Sequence, residues 1–284
     1  EKGMLPAGTV AQRPANVTEE ARMTSSETTL RKQLTYEPSP LGFGTSGLRA
    51  KIKDMTDLEI AINTQGFLRF LEKRGDIKKG DTVVIGGDLR GSTDRITQAV
   101  IHAVKEAGYS VEYLGHVPTP LLSYYAFTRG LAHVMVTGSH IPDDRNGIKF
   151  VKTREELMKE DEKDVLSAVT EIREKTYGKL ASESPFNENG ILKLRNTAPD
   201  RLILPVVNDG AENEYLQRYT RVFPGKPLKG KKIVVYEQST VGWDLLVNVL
   251  EQLGAEVIRE GRSAAFIPID TEKVTPENLA YFRE

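Results

Sequence analysis

Thr82-Val83-Val84-Ile85-Gly86-Gly87, followed by Asp94 to Ala107 and then by Ser110-Val111-Glu112-Tyr113-Leu114, is the stretch that decides the fold. Its first run is short, rich in β-branched residues and closed by glycines, the pattern of a buried strand. Between Asp94 and Ala107 the apolar residues Ile96, Ala99, Val100, Ala103, Val104 and Ala107 recur at intervals of three and four, which puts them on one face of an amphipathic helix. Strand, helix and strand in that order predict a βαβ unit with its strands parallel.

The alternation continues on both sides. Residues 57 to 74 carry Leu58, Ile62, Phe67, Leu68 and Leu71 on a broad helical face that ends before Gly75. Leu121 to Arg129 reads as a helix and His133-Val134-Met135-Val136-Thr137 as a strand after Gly130. The charged segment from Arg154 to Lys175 keeps a narrow apolar stripe, Leu157, Val165, Leu166, Val169 and Ile172, and is expected to be a partly exposed helix closing a first domain. Residues 181 to 209 are rich in Asn, Ser, Pro and Asp, so the domain boundary is expected there. A second, similar pattern follows: helix over Ala211 to Arg221, strand over Lys232 to Tyr236, helix over Gly242 to Leu253, strand over Glu256 to Ile258, and a last helix opened by Thr275 and Pro276. The expected class is α/β, two α/β domains of mixed, mostly parallel sheets flanked by helices, the second incomplete. The expected division is a disordered tail over 1–35, a first domain over 36–190 and a second over 205–284.

Composition narrows the function. The 284 residues are 39% apolar and 28% charged with a formal net charge of -1, the balance of a globular protein without the basic excess that nucleic acid or an anionic membrane surface calls for. No cysteine is present, which removes disulfides, thiolate metal sites and thiol nucleophiles. No apolar run is long enough to span a bilayer, and a cytoplasmic location with a small-molecule partner is the expectation. His102, His116 and His133 have no second ligand at metal-binding spacing, and Trp243 opens a helix as a packing residue.

The chemistry is expected at Val136-Thr137-Gly138-Ser139-His140-Ile141-Pro142-Asp143-Asp144-Arg145-Asn146-Gly147-Ile148-Lys149-Phe150. It begins where a strand ends, and in an open parallel sheet ligands bind at the C-terminal ends of the strands. Gly138 lets backbone approach a phosphate, Ser139 offers a hydroxyl that can bear a phosphoryl group, His140 can donate hydrogen bonds, and Lys149 brings a charge or a proton. The same Thr, Gly, Ser, Asn and Pro also make ordinary turns, and residue chemistry alone leaves the two readings level.

This loop resembles the active-site serine loop of the α-D-phosphohexomutases, the phosphoglucomutase and phosphomannomutase family. The family pattern is Thr-Ala/Gly-Ser-His-Asn-Pro followed by Asn-Gly and a Lys; here it stands as Thr137 to Pro142 with Asn146-Gly147-Ile148-Lys149, and Ile141 replaces the usual Asn. Upstream, Phe43-Gly44-Thr45-Ser46-Gly47-Leu48-Arg49 resembles the family's N-terminal Gly-Thr motif, which implies phosphate contacts from Thr45 and Ser46 and an Arg49 that reaches the phosphoserine. Gly86-Gly87-Asp88-Leu89-Arg90-Gly91-Ser92 and Val117-Pro118-Thr119-Pro120 resemble two further motifs; Asp88 and Arg90 are expected to pair with each other and shape the domain. The resemblance covers residues 41 to about 270, the family's N-terminal portion.

It implies a hexose phosphate substrate, phosphoryl transfer through Ser139 and a bisphosphate intermediate, and Lys149 as the proton-transfer group beside Arg49 and His140. It also implies Mg²⁺, held by the phosphate on Ser139 and by three aspartates of an Asp-Xaa-Asp-Xaa-Asp-Arg loop that this sequence does not contain. The chain is therefore expected to be an N-terminal piece of a longer phosphohexomutase and inactive alone. The alternative is a non-catalytic module that binds sugar phosphates or a partner protein.

Overall fold

The computed structural model describes residues 28–44, 47–193, 203–267, 275–281 and 283. In chain order they form α1 (Leu30–Gln33), β1 (Phe43–Gly44), β2 (Gly47–Lys51), α2 (Asp57–Arg74), β3 (Thr82–Gly87), α3 (Thr93–Glu106), β4 (Ser110–His116), α4 (Thr119–Phe127), β5 (Ala132–Val136), β6 (Arg145–Val151), α5 (Glu162–Gly178), α6 (Gly210–Val222), β7 (Lys232–Gln238), α7 (Trp243–Gln252), β8 (Glu256–Arg262) and α8 (Pro276–Tyr281). A six-stranded sheet runs in the order β1-β2-β6-β5-β3-β4, and β7 and β8 make a parallel pair of their own.

The expected βαβ unit is the parallel heart of the large sheet, with β3 flanked by β4 on one side and β5 on the other. Beyond β5 the sheet continues antiparallel through β6, β2 and β1. Val83 and Ile85 face one core with Ile148 and Phe150, beneath α2, α3 and α5; Val84, Leu114 and Met135 face a second, beneath α4, α6 and α7. Alternate residues of the same strands feed both layers, so helices cover both faces.

The helix ends obey local chemistry. At the start of α2, Thr56 Oγ1 accepts the Glu59 amide at 3.2 Å, and the helix stops at Gly75, whose φ of 77° is the left-handed cap that glycine takes without strain. The helix expected from Arg154 starts later, at Glu162. Glu156 instead bridges back to Val151, and the Asp161 carboxylate accepts the Met158 amide at 2.9 Å and Lys152 Nζ at 2.6 Å. That buried ion pair holds residues 152–158 against the end of β6, out of helical register.

The boundary of the tail also differs from expectation. The tail expected over 1–35 ends earlier among the described residues, because Leu30 is wholly buried and its amide donates to the Lys179 carbonyl, while Ala181 donates to Thr28. Residues 1–27 lie outside the described residues. Residues 181–193 fold back onto the first unit, where Phe186 and Leu192 are buried and the Leu192 amide reaches Asp57 Oδ2 at 3.0 Å. Helix α6 lies on α4, its Ala211, Tyr215 and Leu216 joining Leu121, Leu122 and Tyr125 in the second core. No helix among the described residues is long and apolar enough to cross a membrane.

Candidate active site

The serine loop leaves β5 at Thr137 and returns as β6 at Arg145, at the C-terminal ends of β3 and β5. One carboxylate organises its entry. Asp88, the first residue after β3, accepts Thr137 Oγ1 at 2.8 Å and the Gly138 amide at 3.2 Å on Oδ2, and Thr93 Oγ1 and the Arg90 amide on Oδ1. Thr137 Oγ1 in turn accepts the Ser139 amide at 2.9 Å. A chain of hydrogen bonds therefore runs from the end of β3 to the backbone of Ser139.

Ser139 has a φ of 56°, in the left-handed region that residues with a Cβ adopt only when their surroundings impose it. The surroundings here are the guanidinium of Arg90. Its Nη1 donates to the carbonyls of Pro142 (2.8 Å) and Arg145 (3.2 Å), and its Nη2 to those of Ser139 (3.0 Å) and Ile141 (2.7 Å). Four carbonyls of one loop thus converge on one buried side chain, which also lies 3.3 Å from Asp88 Oδ2 through Nε. Burial draws the guanidinium below its usual pKa, opposed by Asp88, and its planar fork of donors suits this task as an ammonium would not. The expected pairing of Asp88 with Arg90 is present, but the pair does more than shape the domain: it frames the loop.

The same frame accounts for Gly138. A Cβ there would lie 2.5 Å from Cζ and Nε of Arg90, so the guanidinium occupies the space that a side chain would need. On the return strand, buried Asn146 donates to Ser92 Oγ (2.9 Å) and Thr93 Oγ1 (3.2 Å) and accepts the Gly147 amide, tying the loop's far end to the start of α3.

What the frame leaves outward is the polar side chains. Ser139 and His140 are exposed, with Ser139 Oγ 3.3 Å from His140 Nδ1. Arg49 and Lys149 come to the same end of the sheet through strand pairing. In the antiparallel β2/β6 pair Arg49 lies opposite Gly147 and Gly47 opposite Lys149, while the Thr137 amide donates to the Gly147 carbonyl at 3.0 Å. The two backbones approach closely because Gly47 and Gly147 lack side chains; a Cβ on Gly47 would lie 2.0 Å from the Ile148 carbonyl oxygen. Leu48, Ile148 and Phe150 point into the first core, so by alternation Arg49 and Lys149 share the opposite face. Arg49 sits two strand spacings, about 10 Å, from Thr137. Among the described residues neither the Arg49 guanidinium nor the Lys149 amine has a hydrogen-bonding or ion-pair partner, so both charges are available to an anion. Thr45 and Ser46 lie outside the described residues.

Sequence reasoning placed the serine loop, Arg49 and Lys149 in one region, and the pairing of β2 with β6 brings them there. It did not find Arg90, Asp88 and Asn146 as the loop's frame. The available signal was position: Asp88 and Arg90 directly follow a parallel strand, where loop-organising residues belong. Among the described residues no group of three His, Cys, Asp or Glu side chains could hold a metal ion.

Comparison with known proteins agrees with this architecture. Residues 40–176 match the family model of the phosphoglucomutase/phosphomannomutase alpha/beta/alpha domain I. A phosphomannomutase of Sinorhizobium fredii is 36% identical over 82% of this chain and 45% of its own length, and a phosphomannomutase of Salmonella muenchen is 33% identical over 84% of this chain and 44% of its own. The chain spans about half the length of the curated relatives it matches. A candidate phosphomannomutase from Thermus thermophilus, of known crystal structure, shares the fold with a TM-score of 0.62 at 22% identity, over 87% of this chain and 52% of that one. With its domain I over residues 40–176 and relatives that extend the match across most of its remaining length, the chain belongs to the α-D-phosphohexomutase family.

Proposed function

We propose that this chain is the part of a phosphohexomutase that carries the transferred phosphoryl group, on Ser139, in the interconversion of hexose 1-phosphate and hexose 6-phosphate. The observation that carries the reading is the serine loop itself. A strained serine is held by its backbone while its exposed hydroxyl lies beside His140, at the sheet end that also holds Arg49 and Lys149, which have no partner among the described residues.

Each side chain has a part that its position supports. The Ser139 Oγ–P bond breaks as a sugar hydroxyl oxygen bonds to phosphorus, giving a hexose bisphosphate; the other phosphate of that intermediate then returns to Ser139 Oγ. Lys149 gives a proton from its ammonium to Ser139 Oγ as the Oγ–P bond breaks and takes up the proton that the attacking sugar hydroxyl loses, and the exchange runs in reverse in the second step. Arg49 grips two equatorial oxygens of the group in transit, and His140 hydrogen-bonds the Ser139 oxygen as charge develops there. Thr45 and Ser46 supply further phosphate contacts, whereas the Gly138 amide is already committed to Asp88 Oδ2. Mg²⁺ enters only as a partner of the seryl phosphate. The described residues offer no set of protein ligands for it.

Mannose phosphate is the favoured substrate, since the relatives matched at 33% and 36% identity carry phosphomannomutase names. Phosphopeptide mapping of the protein at its natural length should find phosphate on Ser139, and Ser139→Ala should abolish turnover of mannose 1-phosphate. A fully active Ser139→Ala variant would remove the assignment. The 284-residue chain by itself, assayed with glucose 1-phosphate or mannose 1-phosphate and Mg²⁺, should show no turnover, because its sequence holds no Asp-Xaa-Asp-Xaa-Asp-Arg loop. Robust turnover would point to ligands supplied elsewhere in the chain.

A further inference from the structure

The guanidinium that clamps the serine loop is not closed by first-unit residues alone. Phe266, in the segment after β8, lays its ring over Arg90 with Cζ 4.5 Å from the ring centroid. Over an aromatic face a buried cation gains the attraction of the ring quadrupole, and the ring also keeps water from competing for its donors.

Phe266 is itself held. The next residue, Ile267, donates its amide to Ser239 Oγ at 2.9 Å, and Ser239 Oγ donates to the Ile267 carbonyl at 3.2 Å. Ser239 is buried directly after β7, next to Gln238, whose φ of 54° turns the chain sharply at the strand end. The Ser263 amide closes the segment's other end on the Gln238 carbonyl at 2.8 Å. A hairpin-like segment anchored on the β7/β8 pair thus presents one aromatic side chain to the one cation that fixes Ser139.

We propose that Phe266 is a positioning residue for the serine loop: by covering Arg90 it steadies the four-carbonyl clamp, and it makes the alignment of Ser139 depend on how the β7/β8 unit is docked. The idea deepens the phosphoryl-transfer reading of Ser139 and rests on it for its functional meaning, although its physical content is the order of one loop. The contact of Phe266 is with Arg90, so it acts through Arg90.

The test compares Phe266→Leu, which keeps apolar bulk and removes the aromatic face, with Phe266→Tyr, which keeps the face. Amide hydrogen exchange of the whole chain is followed at Gly138, Ser139 and Ile141, whose amides are hydrogen-bonded, and, as a control, within α2. Loss of a cation–π contact of this kind should speed exchange in the loop about tenfold in Phe266→Leu, leave Phe266→Tyr close to wild type and leave α2 unchanged in both. Equal acceleration in both variants, acceleration that extends to α2, or none in either would overturn the proposal. In the natural-length protein the same Leu variant should lower kcat about tenfold with little change in KM, and the Tyr variant should restore it. If exchange behaves as expected while no phosphate is ever found on Ser139, the clamp coupling stands and the phosphoryl-transfer reading falls, so the two fail separately.

Discussion

At the residue scale the central fact is that Ser139 sits at a φ of 56°. That conformation strains a residue that carries a Cβ. Glycine relieves the strain and alanine does not, so Ser139→Gly should be more stable than Ser139→Ala by about 1 kcal/mol, measured as the difference between their urea unfolding curves. Equal stability of the two would mean that the left-handed turn is not imposed on the folded chain. The serine itself was legible in the sequence, because the side chain that does chemistry is the letter one reads. Arg90 was not legible as a clamp. Its partners are main-chain carbonyls of Ser139, Ile141, Pro142 and Arg145, and a carbonyl leaves no trace in the identity of the residue that carries it.

At the scale of elements the helices and the parallel strands were readable and the antiparallel ones were not. Helix α2 announces itself by its recurring apolar residues, which the structure buries on nearly all sides, and by a glycine after its end, and β3 by a run of β-branched residues. Strands β2 and β6 are hidden by the glycines that let them pair: Gly47 and Gly147 look like loop residues and act as points of close backbone approach. The strand that precedes the loop carries a titration of its own. His133 on β5 is buried, with Nε2 3.0 Å from Ser123 Oγ of α4 and its ring edge-on to Phe127, and burial pushes its pKa down to about 4. The unfolded histidine titrates near 6.5, so between that pH and about 4 the unfolded chain binds the extra proton and folding stability falls as the pH is lowered. The loss should reach about 3 kcal/mol at the acid end of that window. His133→Gln should flatten this part of the profile of thermal midpoint against pH, and an unchanged slope would show that His133 is protonated in the fold.

At the scale of the molecule the second core matters most, because Leu121, Leu122 and Tyr125 of α4 share it with Leu216 of α6 and with Leu245 and Val249 of α7. A composition shift over 181–209 suggested a clean division there, yet α6 packs its apolar face on the first unit. Polar composition marks where a chain is at the surface, and it does not tell which surface the next helix covers. Leu216→Ala should therefore cost about 2–4 kcal/mol and should shift a single calorimetric transition for both units. Two separated transitions in the wild-type chain would show that the units melt independently. The manner in which Arg90 holds its loop also bears on divergence. The clamp addresses only the polymer's common backbone, so the identity of the side chain at Ile141 changes nothing that the clamp detects. Mutational libraries across residues 140–145 should consequently retain folded members at high frequency, since the rim can vary while the anchor beneath stays fixed.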